Sequence, residues 1–398
     1  MLSTRFSRFR PLRSVLAAAA LAMLAACATA PGAGRVSSDG VDVDPNQPVR
    51  VALLVPLGSA DPSREVLGRS LVNAAQLAQA DLRNATIDLA VYPTAGTAEG
   101  GAAAASQAVA EGAKIIVGPL FSTATAGVEP VAAGAQLKVI SLSNNPEVAG
   151  QGVYILGNTF LNTADRLVSY GMSRGLRNFA VVYPEGLEGD TARNAVSAAV
   201  RGRGAQLVAT ESYSLSVTGI QAAAGPAASN LMANGANAIV LTDGPTGGLA
   251  FISEALRNNG LSSAQAQFLG LQRWDVSAEA LSQPSLQGGA FAAPDPGLMA
   301  AFEGRYRNAY GEAPQDVAAL AYDAIAAVGA LISEARAGGG SPFSDARITQ
   351  AAGFAGVGGA FRFAPNGLNQ RNLAVLEVRD GQAVVVERAA RGFESFAN

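Results

Sequence analysis

The chain has no histidine and only one cysteine, Cys27, among its 398 residues. Histidine-based triads, cysteine–histidine dyads and the common zinc ligand sets are therefore excluded. No second cysteine is present to form an intramolecular disulfide. The sequence also lacks a phosphate-binding loop, since residues 244–248 (GPTGG) have no Gly-Lys-Ser/Thr ending. We therefore expect neither a metal site nor a cofactor.

Charged residues are scarce, at 15% of the chain, and the acidic ones are in excess. The first 26 residues contain four arginines and no acids, and without them 24 basic residues stand against 31 acidic ones. The sequence shows no basic stripe with interleaved aromatics to neutralise phosphates, so nucleic acid is not an expected partner. The two lysines, Lys114 and Lys138, begin predicted strands and are interpreted as solvated strand ends.

The N-terminal residues have the pattern of an export signal. Four arginines precede an apolar run of about ten residues, 15–24, which is too short to span a bilayer as a helix. The run leads into residues 24–27 (LAAC), which resemble the lipobox of bacterial lipoproteins. The resemblance implies a signal peptide over residues 1–26, lipidation of Cys27 and attachment to a membrane through that lipid. The alternative is a plain signal peptide followed by a buried structural cysteine.

The residues after Cys27 indicate to which membrane the protein is attached and how the folded part is linked to it. Residue 28 is alanine rather than aspartate, and by resemblance to lipoprotein sorting in Gram-negative bacteria this favours the periplasmic face of the outer membrane. Residues 28–48 lack a periodic apolar face and are rich in Gly, Pro, Ser and Asp, which predicts a flexible linker. The lipidated cysteine and this tether together cover residues 27–48.

Strands and helices alternate from residue 49 onward. Residues 50–55 (RVALLV) are almost continuously apolar, as in a strand buried on both faces. Residues 113–145 predict a strand, a tight loop, a helix and a second strand. Crossovers longer than about ten residues imply parallel sheets flanked by helices. Near the C-terminus, Asp380 and Gly381 between two apolar runs predict a β-hairpin.

Several stretches resemble the type I periplasmic-binding-protein fold of leucine/isoleucine/valine receptors. They are residues 50–57 (RVALLVPL), 115–120 (IIVGPL), 139–144 (VISLSN), 321–325 (AYDAI) and 359–367 (GAFRFAPNG). The resemblance implies a two-lobed α/β fold in which each lobe is a mainly parallel sheet flanked by helices. It places lobe 1 at 49–157 plus 290–338 and lobe 2 at 158–289 plus 339–390, with a cleft at the carboxyl ends of both sheets.

Within that superfamily, the lipobox together with residues 117–122 (VGPLFS) and 269–274 (LGLQRW) resembles the penicillin-binding-protein activator lipoproteins. The resemblance implies a non-enzymatic lipoprotein that regulates peptidoglycan synthesis by binding a penicillin-binding protein. Some members carry an N-terminal helical-repeat domain, whereas here only the tether precedes the first strand. The alternative is a periplasmic solute receptor that captures an amino acid or similar small molecule for an importer or sensor.

The candidate ligand contacts are loop residues at predicted strand ends. Hydroxyls and backbone amides at the start of a helix favour a carboxylate, because unpaired amides and the helix dipole attract anions. The hydroxyls come from two neighbouring loops of lobe 1, and the facing groups come from lobe 2. The predicted set is Ser122, Thr123, Ser141, Ser143, Tyr183, Glu185 and Asp243. For the serines and threonine the alternative role is helix capping.

Three acids, Glu185, Glu188 and Asp190, cluster after a predicted strand. Paired carboxylates can act as a general acid and base. We favour the interpretation that the acids mark a helix start, where they complement the helix dipole. Since the sequence offers no convincing nucleophile with a base beside it, an enzymatic role is not expected.

Overall fold

The first lobe contains a five-stranded parallel sheet with the strand order β2-β1-β3-β4-β5. The computed structural model describes Met1 and residues 38–393, so Cys27, most of the predicted signal peptide and the first part of the tether lie outside the described residues. The strands are β1 (Val49–Val55), β2 (Ile87–Pro93), β3 (Ile115–Val117), β4 (Val139–Ser141) and β5 (Val153–Ile155). The helices between them are α1 (Pro62–Asp81), α2 (Ala98–Ala110) and α3 (Ser122–Gly134), and a 3-10 turn spans Pro146–Val148.

The second strand in the spatial order, β1, is buried on both of its faces. Leu53 packs in a core cluster with α1, whereas Leu54 packs in a different cluster with α2. Successive side chains of a strand point to opposite faces, so helices on both sides of the sheet require an unbroken apolar run. The continuous apolar pattern of residues 50–55 is explained by this two-sided packing.

The second lobe follows with the same alternation of strands and helices. Its parallel strands are β6 (Asn178–Pro184), β7 (Gln206–Tyr213), β8 (Ala238–Leu241), β9 (Gln267–Gly270) and β10 (Ala290–Ala293). Its helices are α4 (Phe160–Ser173), α5 (Leu187–Gly202), α6 (Val217–Ala233), α7 (Leu249–Asn258) and α8 (Ala278–Ser282), with a 3-10 turn at Pro284–Leu286. Helices α4 and α5 share one core cluster, and α6, α7 and α8 share another, so the sheet is covered on both faces.

The chain then returns to the first lobe. Helices α9 (Pro296–Tyr310) and α10 (Ala318–Gly338) pack in the same core cluster as β1. Among the described residues α10 is the one helix long and apolar enough to cross a membrane, but 72% of its apolar window is buried. It is therefore a core helix of the first lobe. A short helix, α11 (Asp345–Ile348), and the antiparallel pair β11 (Phe361–Phe363) and β12 (Asn369–Arg371) follow it.

The last two strands complete the second sheet. β13 (Ala374–Arg379) pairs antiparallel with β10, and β14 (Gln382–Glu387) pairs antiparallel with β13, which gives the order β14-β13-β10-β9-β8-β6-β7. The hairpin predicted at Asp380 and Gly381 is confirmed, and both turn residues have positive φ angles, as a tight two-residue turn requires. The predicted two-lobed fold with mainly parallel sheets flanked by helices is present.

The observed lobes differ from the predicted boundaries at the second and third crossings. β10, which was placed in lobe 1 as the start of 290–338, hydrogen-bonds with β9 and β13 of the second sheet. Part of 339–390, placed in lobe 2, contributes aromatic side chains to the core of the first lobe, among them Phe343, Phe354 and Phe361. Strand pairing and core filling are contacts between distant residues, so the local apolar pattern that located these segments does not assign them to a sheet.

The predicted flexible tether is also shorter than expected, because residues 38–48 pack on the first lobe. Val43 is 7% exposed and belongs to the core cluster of that lobe, and Val41 packs against it. The guanidinium of Arg336 donates two hydrogen bonds to the carbonyl oxygen of Pro45, at 3.1 and 2.8 Å. Burial of two valines fixes a segment whose polar composition had predicted mobility.

Three chain segments connect the lobes, at residues 156–159, 294–295 and 372–373. The first follows β5 and the second follows β10, so the carboxyl edges of both parallel sheets lie beside the connections. Asn369 joins two of them, since its Nδ2 donates to the carbonyl oxygens of Ile155 and Gly157 at 2.8 Å each. The cleft between the lobes is consequently bordered by the loops that follow the strands, as in other open α/β folds.

Candidate functional site

Helix α3 begins at the carboxyl edge of the first sheet without a side-chain cap. Its N-cap residue is Phe121, and no side chain accepts a hydrogen bond from the first turn. Ser122 is the first helical residue, and Thr123 donates its hydroxyl to the carbonyl oxygen of Gly96 at 3.3 Å. The capping alternative for these two residues is therefore wrong. The first-turn amides and the positive end of the helix dipole remain free for an anion.

An arginine that was not predicted as a site residue lies next to this helix start. Arg64, in the first turn of α1, donates from Nη1 to the carbonyl oxygen of Ala95 at 3.0 Å. Its guanidinium carbon lies 5.2 Å from the centre of the Phe121 ring. A Cβ at Gly96 would come within 2.9 Å of Arg64 Nη1 and 3.0 Å of the Phe121 ring, so glycine is required for this approach. The guanidinium also pairs with Asp61, whose Oδ2 lies 3.7 Å from Arg64 Nε, and its remaining donors lie beside the uncapped amides, so that both groups favour a carboxylate.

Ser141 and Ser143 lie at the end of β4, where they are 0% and 2% exposed. The Ser141 hydroxyl donates to the carbonyl oxygen of Pro119 at 3.1 Å and shares a hydrogen bond with the Thr125 hydroxyl at 2.9 Å. The Ser143 hydroxyl accepts from the Asn145 amide at 3.1 Å. The Ser141 hydroxyl links the loop after β4 to the loop after β3, from which α3 begins, and the Ser143 hydroxyl stabilises the loop after β4.

The second lobe presents Tyr183 near the carboxyl end of β6 and Glu185 directly after it. Tyr183 is half-buried with the Arg193 guanidinium 5.6 Å from its ring centre, and Glu185 is exposed. Helix α5 follows at Leu187, again without a side-chain cap. Its first turn contains Glu188 and Asp190, which confirms their interpretation as acids at a helix start.

Asp243 is 7% exposed and accepts hydrogen bonds from two amides of its own loop and from a tyrosine of β7. Its Oδ1 accepts from the Gly244 amide at 2.9 Å, and its Oδ2 accepts from the Gly248 amide at 2.6 Å and from the Tyr213 hydroxyl at 2.8 Å. Burial and the adjacent carboxylate raise the pKa of Tyr213, which keeps the phenol protonated as a donor. The carboxylate therefore holds the start of α7 against β7.

Beside it, Thr242 has a side-chain oxygen that is buried and lacks a hydrogen-bond partner among the described residues. The residue is 2% exposed and directly follows β8. In β8 the side chains of Ala238 and Val240 face the core cluster that contains α4 and α5, and alternation puts Thr242 on the same face. A buried hydroxyl without a partner is costly unless something else bonds to it. Thr242 is thus a candidate ligand contact at the cleft edge.

Comparison with known proteins agrees with this geometry. A profile of the periplasmic binding protein family matches residues 48–383. The chain belongs to the periplasmic binding protein family. A search among curated proteins finds no match.

Solved structures of similar fold cover nearly all of this periplasmic binding protein. A putative branched-chain amino acid ABC transporter protein from Rhodospirillum rubrum is 18% identical, with a TM-score of 0.71 over 85% of this chain and 100% of that one. A substrate-binding protein from Desulfitobacterium hafniense, in complex with Leu, is 18% identical, with a TM-score of 0.59 over 85% of this chain and 100% of its own. A solute-binding protein from R. palustris, in complex with 4-hydroxybenzoate, is 16% identical, with a TM-score of 0.57 over 88% and 98%. At these identities the likeness establishes the fold.

In this periplasmic binding protein the predicted residues divide into two groups. Ser122 and Thr123 lie at the uncapped start of α3, whereas Tyr183 and Glu185 lie at the carboxyl end of β6. The side chains of Ser141, Ser143 and Asp243 are hydrogen-bonded to neighbouring parts of the protein and support the loops at the sheet edges. Arg64 and Thr242 were missed: the first lies on another helix, and the second is marked only by its missing partner. Within residues 38–393 no three acidic or thiol side chains group to hold a metal ion.

Proposed function

We propose that this protein is a periplasmic receptor that binds a small carboxylate-bearing solute between its two lobes. The observation that carries the proposal is the uncapped start of α3 with the Arg64 guanidinium beside it, because both groups attract a carboxylate. The ligands in two solved structures of the same fold, Leu and 4-hydroxybenzoate, each contain a carboxylate. The family and these neighbours are binding proteins, which supports a non-enzymatic role.

The proposal gives each lobe a separate task. The solute carboxylate accepts from the first-turn amides of α3, from the Ser122 hydroxyl and from Arg64. The second lobe contributes the exposed carboxylate of Glu185, which suits an ammonium group on an amino acid, and the Thr242 hydroxyl, which suits a neutral polar group. Tyr183 supplies a half-buried aromatic surface for the solute body.

Thermal unfolding against a panel of amino acids and aromatic carboxylates tests this proposal. A solute that binds only the folded protein raises stability by about 2.7 kcal/mol when its concentration is about 100 times Kd. Arg64→Gln should weaken binding of the active solute by roughly 10- to 100-fold, since hydrogen bonds to charged groups contribute about 1.5–3 kcal/mol. Arg69→Gln is the matched control, because Arg69 is exposed on the same helix.

The outcomes separate the parts of the proposal. If no carboxylate in the panel stabilises the wild-type protein, the receptor function is refuted. If a solute binds but Arg64→Gln and Arg69→Gln bind it as tightly as the wild type, the solute lies elsewhere and the assignment of the site is wrong.

Lipidation of Cys27 and attachment to the periplasmic face of the outer membrane belong to the same proposal. The family match supports the periplasm as the compartment. Cys27→Ser should move the protein from the membrane fraction to the soluble periplasmic fraction. A wild-type protein found wholly in the soluble fraction would rule out the anchor.

Regulation of a penicillin-binding protein rests on the motif resemblance alone. Neither the family match nor the solved structures of similar fold point to such a partner. Solute capture is therefore the better-supported function. Affinity purification of the tagged, lipidated protein decides between them, since reproducible enrichment of a penicillin-binding protein would reverse this preference.

A further inference from the structure

A concave groove of about 540 Å³ runs along α7 on the second lobe. It extends from Leu249 at the start of that helix to Asn258 at its end, between the first turn of α6 and helix α8. Its lining contains no residue of the first lobe and none of the predicted cleft contacts. Although Pro245 and Gly247 of the loop after β8 line it, the groove contains none of the proposed cleft contacts, and its volume is in the range of small-molecule pockets, about 300–1,000 Å³.

Part of the groove wall is apolar and exposed to solvent. Phe251 and Val217 are large apolar residues that are 58% and 54% exposed. The floor is formed by Ile220, Leu249 and Ala280, which are 3%, 0% and 6% exposed. Leu215, itself 57% exposed, continues this apolar surface beyond the groove, where a Cβ at Gly248 would come within 2.9 Å of its side chain. An exposed aromatic ring beside a buried apolar floor suits a ligand with an apolar body.

The charged residues that line the groove are all acidic. They are Glu254 and Glu279, and no lysine or arginine lines the groove. Both oxygens of Glu254 accept from Arg257, at 3.0 and 2.6 Å, so most of its charge is neutralised. Glu279 is exposed, and its carboxylate has no hydrogen-bond or ion-pair partner within the described chain. One uncompensated negative charge and one exposed aromatic face thus border the same cavity.

We propose that this groove binds a small organic cation with an apolar body, of the arylalkylammonium class. The Phe251 ring attracts the cation through its π face, and Glu279 supplies the opposite charge. The body of the ligand covers Val217 and Ile220, and the side-chain amides of Gln221 and Asn258 are available to polar substituents. This site is independent of the proposed carboxylate cleft.

Calorimetric titration of the intact protein with benzyltrimethylammonium tests the site. Benzyl alcohol and phenylacetate serve as comparison ligands, because they carry a similar aryl body without the positive charge. Saturable binding of the cation at millimolar concentration is expected, with weaker binding of both comparison ligands. Glu279→Gln and Phe251→Leu should each weaken binding of the cation by roughly two- to fivefold, as expected for an exposed ion pair and an exposed cation–π contact. Glu312→Gln, an exposed acid of the first lobe, should leave it unchanged.

The proposal is overturned if the cation shows no saturable binding, if benzyl alcohol binds equally well, or if Glu279→Gln and Phe251→Leu bind the cation as tightly as the wild type. Arg64→Gln distinguishes the two sites, since it should weaken carboxylate binding in the cleft by roughly 10- to 100-fold and leave the cation affinity unchanged. A loss of cation binding in Arg64→Gln would place the cation in the cleft and also refute the separate groove site.

Discussion

Replacement of Arg371 should destabilise the protein at neutral pH, and lowering the pH should restore part of the lost stability. Arg371 of β12 and Asp323 of α10 form an ion pair with Nη1 and Oδ2 3.0 Å apart, and their side chains are only 3% and 1% exposed. Asp323 Oδ1 also accepts from the Val357 amide at 2.7 Å. Loss of one partner of a buried ion pair typically costs about 3–5 kcal/mol, because the remaining charge stays buried without compensation. We expect Arg371→Met to lose an amount in this range at pH 7.

The pH dependence follows from Asp323. Burial raises the pKa of this carboxyl above its ordinary value, even though Arg371 acts in the opposite direction. A group whose pKa is raised in the folded state contributes stability that is present at low pH and lost as the pH rises through that pKa. In Arg371→Met the opposing effect of the cation is gone. The deficit of this variant relative to wild type should therefore shrink as the pH falls from 7 towards the ordinary pKa of aspartate, where the buried carboxyl is neutral.

Urea unfolding followed by circular dichroism measures these free energies, with the slope m as a check that both proteins unfold from comparable states. The double variant Arg371→Met/Asp323→Asn is the control, since the amide still accepts from Val357 but has no charge. It should recover most of the loss at pH 7. If Arg371→Met is within about 1 kcal/mol of wild type at pH 7, or if its deficit does not change with pH, the buried charge is not the cause.

Three further perturbations test the packing and the site. Tyr213→Phe should cost about 1.5–3 kcal/mol of unfolding free energy at neutral pH, because it removes the hydrogen bond to Asp243. Since the pKa of Tyr213 is raised in the folded protein, the wild type loses this contribution as the pH rises above 10. The two proteins should therefore converge in alkaline urea unfolding, and a constant difference would contradict the assignment. Gly127→Val should strongly lower the unfolding temperature because even its Cβ would lie 1.9 Å from the Ala98 carbonyl oxygen, whereas Gly134→Ala, with open space at its Cβ, should not. Phe121→Asp should cap α3 with its own carboxylate and make the protein about 0.5–2 kcal/mol more stable than Phe121→Ala. The same capping should weaken the binding of carboxylate solutes. Equal solute affinities of Phe121→Asp and Phe121→Ala would argue against the start of α3 as the solute site.

The alternation of strands and helices was predictable from the sequence because it depends on neighbouring residues. The run at 50–55, the strand–loop–helix–strand unit at 113–145 and the turn at Asp380 and Gly381 all have local signatures, and the structure has each of them. The sheet that receives β10 was not predictable in this way. Its four residues, AFAA, are apolar and suit either lobe, and their pairing with β9 and β13 is decided by the tertiary fold.

For Lys138, the local sequence predicted the wrong environment of the side chain. Its position at a predicted strand start indicated a solvated side chain, but it is 1% exposed, and its Nζ lies 2.6 Å from Asp345 Oδ1. The hydroxyl of Tyr154 donates to the same carboxylate oxygen. The partner is more than two hundred residues away in sequence, so no local pattern marks this interaction. Arg64 was missed for the equivalent reason, because only the fold brings α1 to the start of α3.

The start of α3 combines an absent cap with a neighbouring guanidinium, and this combination bears on the choice between a solute receptor and a structural scaffold. Asp61, Thr97, Thr159, Ser216 and Asp295 each cap a helix with a side-chain oxygen, whereas α3, α5, α7 and α10 begin without one. At α3 the N-cap residue is Phe121, whose ring packs on Arg64, and Ser122 and Thr123 follow it inside the helix, where they do not cap it. An absent cap costs about 0.5–2 kcal/mol, and a scaffold that acts only through its outer surface gains nothing from that loss. A receptor does gain, because the same amides then bind the solute, and we therefore favour solute capture over regulation of a synthase.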